Sequence, residues 1–89
     1  MIRRSIKLTN RLGLHARAAS KLVQTASEFK AEVWLEHNAR RINAKSIMGV
    51  LMLAAPCGTE LSMEVDGPDE GEASEALVRL IEGRFGEGE

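Results

Sequence analysis

Apolar positions change period several times along the chain, and each change marks an element. Over residues 2 to 8 (IRRSIKL), Ile2, Ile6 and Leu8 fall on one side and Arg3, Ser5 and Lys7 on the other, with Arg4 interrupting the apolar row, which predicts a half-buried strand. From Ala16 the spacing becomes helical: Ala19, Leu22, Val23 and Ala26 form a stripe that Phe29 extends, while Arg17, Lys21, Gln24 and Glu28 are read as facing water. Ala31, Val33 and Leu35 then alternate with Glu32, Trp34 and Glu36. HNA at 37 to 39 supplies an Asn suited to a left-handed turn before RRIN at 40 to 43, so the segment reads as a hairpin. Ser46 precedes IMGVLMLAA as the N-cap of a short helix whose inward face is read as Ile47, Val50, Leu51 and Ala54. Leu61, Met63 and Val65 alternate with Glu60, Ser62, Glu64 and Asp66 as a fourth strand, ended by Gly67-Pro68-Asp69. In the last helix Asp69 and Glu72 have capping-box spacing, Ala73, Ala76, Leu77, Leu80 and Ile81 line one face, and Gly86 is placed to end it.

The order is therefore βαββαβα, an α+β open-faced sandwich: a four-stranded antiparallel sheet with three helices on one face and water on the other. A length of 89 residues fits one domain spanning 1–89. Twelve Lys and Arg against 13 Asp and Glu leave no positive field for nucleic acid or anionic lipid, and three aromatics are too few for a base-stacking platform. Cys57, the single cysteine, has no internal disulfide partner. With no basic leader followed by an apolar run, the expectation is a cytoplasmic, monomeric protein without a membrane span. Cys57, His15 and His37 lack a metal-ligand spacing, so no metal or other cofactor is expected, and His37 beside the hairpin turn is read as solvated with no role. The EGE end at 87–89 is too short for a charge-run argument and is read as frayed.

The candidate chemistry lies in NRLGLHARAASKL, Asn10 to Leu22, where His15 stands at the start of the first helix. The opening backbone N–H groups of a helix, here those of Ala16 and Arg17, point outward and carry partial positive charge, so an anion fits there. Gly13 lets the chain turn before the helix, and Arg17 can add a charge-assisted donor beside the ring. A neutral imidazole has a lone pair for nucleophilic attack, so nucleophile, donors and cation together suit reversible phosphorylation of His15. Spacing alone leaves the alternative that His15 is a tolerated capping residue and Arg17 a solvated one.

LGLHARAASKLV, NAKSIMGVLMLAAPCGTEL and the terminal helix, in this order and at this separation, resemble the HPr phosphocarrier family of the bacterial phosphotransferase system over nearly the whole chain. The resemblance implies a carrier rather than an enzyme. His15 would take a phosphoryl group at Nδ1 from an Enzyme I-type protein and pass it to a IIA-type protein, with Arg17 stabilising the phosphate. Sugar-transporting members usually carry Pro after HAR. Ala18 stands there in this chain, which looks more like the nitrogen-related branch (NPr), with the sugar-transport branch as the alternative.

Ser46 reads as an N-cap. The resemblance adds phosphorylation of this serine by a kinase in some members, where a new dianion would repel acidic partners. Ile47 and Leu51 are read as packing inward, whereas Met48, Met52 and Ala55 form a neighbouring stripe. That stripe suits either a partner surface or a helix buried all round. The resemblance favours docking through Ile47, Met48 and Met52, with Arg17 and Lys45 at the rim. A rival of another class is a regulatory binding module of the same fold, working through Ser46 and the Met48 surface with His15 incidental.

Overall fold

The computed structural model describes residues 1–86; the EGE stretch at 87–89, read above as frayed, lies outside them. The elements run β1 (Ile2–Lys7), α1 (Ala16–Ser27), β2 (Glu32–His37), β3 (Arg40–Asn43), α2 (Ile47–Met52), β4 (Glu60–Asp66) and α3 (Glu70–Glu82), followed by a 3-10 turn at Arg84–Gly86. The strands form one antiparallel sheet in the order β1-β4-β2-β3, so β4, last in sequence, fills the gap between β1 and the β2–β3 hairpin. The alternation sets which side of each strand is dry. Ile6 on β1, Val33 and Leu35 on β2, and Leu61, Met63 and Val65 on β4 are buried under Leu22 and Ala26 of α1 and Leu77 and Ile81 of α3. Each of the larger side chains in this layer contributes about 1.5–3 kcal/mol by leaving water.

On the open face, the carboxylate of Glu64 accepts from Arg3 on β1 (2.6 Å) and Arg41 on β3 (2.7 Å), and the Arg41 guanidinium lies 4.9 Å from the centre of the Trp34 ring. Arg41, then Arg3, holds the Glu64 carboxyl below its ordinary value. One side chain on an inner strand thus gathers charge from both outer strands.

The structure departs from the sequence reading where long or polar side chains find distant partners. Lys21 is only half-exposed, its ammonium donating to the Phe85 carbonyl (2.5 Å). Asp69 makes no capping bond on α3 and no box with Glu72. Its two carboxylate oxygens instead accept the backbone N–H groups of Lys30 (2.9 Å) and Ala31 (2.8 Å), pinning the chain between α1 and β2. Glu70 takes the local role, accepting from the Gly67 N–H at 3.1 Å. Gly86 closes the 3-10 turn at φ 75° rather than ending α3, which stops at Glu82 with Gly83 as its cap.

The face of α2 is also rotated from expectation. Val50 and Leu53 face the core, Ile47, Leu51 and Ala54 are exposed, and Ala55 is buried rather than part of the outer stripe. A six-residue helix holds fewer than two turns, too few for periodicity to fix a face.

Two predictions follow from backbone and charge. Asn38 and Ala39 turn the hairpin at φ 52° and 63°, a left-handed pair that suits Asn but strains Ala. Ala39→Gly is expected to raise the unfolding free energy by about 0.5–1 kcal/mol in urea denaturation, the relief of strain outweighing the looser unfolded chain. The Lys30 N–H, with that of Ala31, holds the Asp69 carboxyl below its ordinary 3.8, so the unfolded chain takes up this proton first as pH falls. The stabilisation is complete above the ordinary value and fades as pH drops through the lowered one. Asp69→Ala should therefore be less stable than the parent at neutral pH, with the gap closing in acid.

Candidate functional site

Residues 10–15 form a fixed loop. The Gly13 N–H donates to the Asn10 carbonyl (3.1 Å), and the buried Asn10 side chain returns a bond from Nδ2 to the Gly13 carbonyl (2.7 Å). Gly13 sits at φ 64°, and a Cβ there would run into the Ala55 carbonyl and the Pro56 backbone. A glycine is required on both grounds, conformation and space. The next residue, Leu14, is buried and its N–H donates to that same Ala55 carbonyl at 2.9 Å. The loop is thereby bonded to the segment that leaves α2.

His15 follows as the N-cap of α1, in extended backbone (φ −83°, ψ −179°), with its ring Nδ1 accepting the Arg17 N–H at 3.3 Å. Caps are ordinarily the oxygens of Ser, Thr, Asp or Asn; an imidazole nitrogen does the same work here. A ring that accepts at Nδ1 carries its hydrogen on Nε2, so the nucleophilic lone pair points into the positive opening of the helix. Ala19 is the first residue to close a helical bond, onto the His15 carbonyl (2.8 Å), which leaves the N–H groups of Ala16 and Arg17 ahead of the ladder. The ring is half-buried, Ala16 and Arg17 are exposed, and the Arg17 guanidinium has no side-chain partner among the described residues. Ala18 is fully buried against the core.

α2 packs along α1 in the opposite direction. Its start lies by the far end of α1, where the half-buried Lys45 donates from its ammonium to the Phe29 carbonyl (2.8 Å). Its end, Met52 to Ala55, is the part joined to the His15 loop, and Arg40 caps it by donating to the Met52 carbonyl (2.7 Å). Ser46 caps the other end, its hydroxyl accepting the Gly49 N–H at 3.2 Å. Burial all round is ruled out: Met48 is 66% and Met52 58% exposed, and Ile47 and Leu51 are also in contact with water. The end of α2, next to the exposed Met52, is thus bonded to the loop that carries His15. Ser46 stands at the opposite end of α2.

A cavity of about 590 Å³ lies elsewhere, between Phe29 and the outer side of α3 at Glu72, Glu75, Ala76 and Arg79. It lies past the far end of α1, away from the His15 loop, so the largest hollow described and the candidate chemistry of the sequence fall in different places. His37 is half-buried and lines a shallow polar cleft with Asn38, Arg40 and Leu53. Cys57 is an exposed loop residue. Among the described residues, no three His, Cys, Asp or Glu side chains group as a metal site requires, and no helix is long and apolar enough to cross a membrane. Sequence reasoning passed over Leu12, which the loop holds 65% exposed, and the Ala55 carbonyl, which has no sequence signal.

Comparison with known proteins adds the following. The family model for the "PTS HPr component phosphorylation site" matches residues 2–83. The chain is 58% identical, over the full length of both, to the phosphocarrier protein HPr of Neisseria meningitidis (strain Z2491). Its structure is similar to that of HPr-C-His from Thermoanaerobacter tengcongensis, with a TM-score of 0.95 and 46% identity over 98% of each chain. It is also similar to an HPr dimer from the same organism, with a TM-score of 0.79 over 98% of this chain and all of that one.

The Gly13 contact yields a test of the site's framework. Gly13→Ala is expected to lose at least about 1 kcal/mol of stability in urea denaturation and to shift the amide resonances of Leu14 to Ala19, because loop and α2 segment must separate to admit a methyl group.

Proposed function

The chain belongs to the HPr family of phosphotransferase-system phosphocarriers, and on that premise we propose that His15 is its phosphoryl acceptor, loaded by an Enzyme I-type protein and unloaded onto a IIA-type protein. The observation that carries this reading is the ring at the helix opening, with Nδ1 on the Arg17 N–H and the Arg17 guanidinium unpaired among the described residues. The Nδ1 lone pair attacks phosphorus as the bond from phosphorus to the donor breaks, and the reverse exchange delivers the group to the acceptor. Nδ1 gives up its capping bond when it bonds phosphorus. The phosphoryl oxygens are then the acceptors nearest to the Ala16 and Arg17 N–H groups and to the guanidinium, so the helix end changes one cap for a more negative one. No pocket is needed, because positioning and charge stabilisation supply most of what phosphoryl transfer asks of a protein. The chain is a carrier and a substrate of transfer rather than a catalytic enzyme.

Ile47, Met48 and Met52 form the docking face in this reading, their exposure on a helix bonded to the His15 loop being what supports it. All these residues come from one chain, so a monomeric single domain suffices for the reading, and the exposed thiol of Cys57 suits the reducing cytoplasm. Ala18 in place of Pro favours the nitrogen-related system over sugar import. Ser46 supports a second, regulatory reading: its hydroxyl is half-buried at a helix start, where a kinase-added phosphoryl would remain compatible with the helix while changing the charge beside Ile47 and Met48.

Incubation with phosphoenolpyruvate and an Enzyme I-type protein of each branch, followed by intact-mass and acid-lability measurements, tests the proposal. One acid-labile phosphoryl group is expected on the parent chain and none on His15→Ala, with faster loading by the nitrogen-related donor. Absence of label with both donors would overturn the carrier reading. An acid-stable group on Ser46 after incubation with a serine kinase would support the regulatory one.

A further inference from the structure

Six large apolar side chains stand exposed among the described residues: Met1, four on α2, and Leu12. Leu12 is the unusual one, because it lies on a tight turn. Such turns draw Gly, Asn, Asp and Ser, whose side chains favour the bend, and a leucine at 65% exposure gains little from folding. Nor is this turn free to fold the side chain away. The paired bonds between Asn10 and Gly13, the missing room for a Cβ at Gly13 and the Leu14 bond to Ala55 fix the backbone on both sides of it. Leu12 is therefore held out in water three residues before His15.

Two observations say what would cover it. The junction that holds its turn is the Ala55 segment, so Leu12 belongs to the same bonded unit as the end of α2, where Leu51 and Met52 are also exposed. The exposed Arg17 guanidinium beside that loop calls for carboxylates opposite.

We propose that Leu12 is a specificity-determining docking residue that seats in an apolar recess beside the reactive group of the phosphoryl-exchanging partner, whose rim carries carboxylates facing Arg17. This rests on the phosphocarrier reading of His15. With the backbone of the turn already fixed, only the leucine's own rotamers are ordered on burial, so it adds affinity without altering the bond-making atoms. Its loss should fall on KM and spare kcat, the mark of binding made equally before and in the transition state.

Steady-state phosphorylation of the full chain by the Enzyme I-type donor, at varied carrier concentration, tests this. Leu12→Ser, which suits the turn, is expected to raise KM about tenfold with kcat within about twofold of the parent, and Leu12→Met to recover most of the loss. Urea midpoints of both variants should match the parent, excluding a folding cause. A Leu12→Ser KM within about twofold of the parent would overturn the role of Leu12 while leaving the His15 reading intact. An unlabelled parent chain would overturn both.

Discussion

The bond from the Leu14 N–H to the Ala55 carbonyl, made possible because Gly13 has no side chain, joins the loop that carries His15 to the end of α2. α1 and α2 pack together in any case, and this bond adds a direct tie from the histidine's loop to the end of the helix that carries the exposed methionines. Without it the buried N–H would lose its partner, at a cost of about 1–3 kcal/mol. The joint helps set where the ring stands, and it ties together two segments, at Leu14 and Ala55, that are 41 positions apart in sequence.

The ring pays for its position with a modest local cost. An N-cap is a place for a small polar side chain, and an imidazole nitrogen at 3.3 Å is a longer, weaker acceptor than a serine oxygen would be. Violations of a local rule gather where a protein acts, and the surrounding loop compensates with its own bonds between Asn10 and Gly13. The same geometry that makes His15 a poor structural cap directs its lone pair to where negative charge is welcome.

Much of the fold was legible because its signals were local and repeated. The β4 alternation and the α3 stripe run over seven and 13 residues, and in each case the buried side follows the period. The short α2 was misread in part: Val50 inward and Met48 and Met52 outward hold, but Ile47, Leu51, Ala54 and Ala55 do not, since six residues do not repeat a helical pattern. Asp69 and Lys21 were misread for a different reason: each finds its partner across the fold, on backbone groups whose position no spacing rule encodes. At the site, Gly13 and the helix opening could be read from sequence. That the ring itself is the cap, and that Ala55 anchors the loop, required the packed chain.

A half-buried ring with one usable lone pair also governs timing. On the proposed carrier reading, two proteins that each bring a reactive group to Nδ1 need the same patch of surface, so they meet this chain in succession, never side by side. Tight attachment to either one would then delay the other. A small, adaptable apolar face near the exposed Arg17 is suited to brief visits, and on that reading turnover of the relay would be set as much by departure as by chemistry.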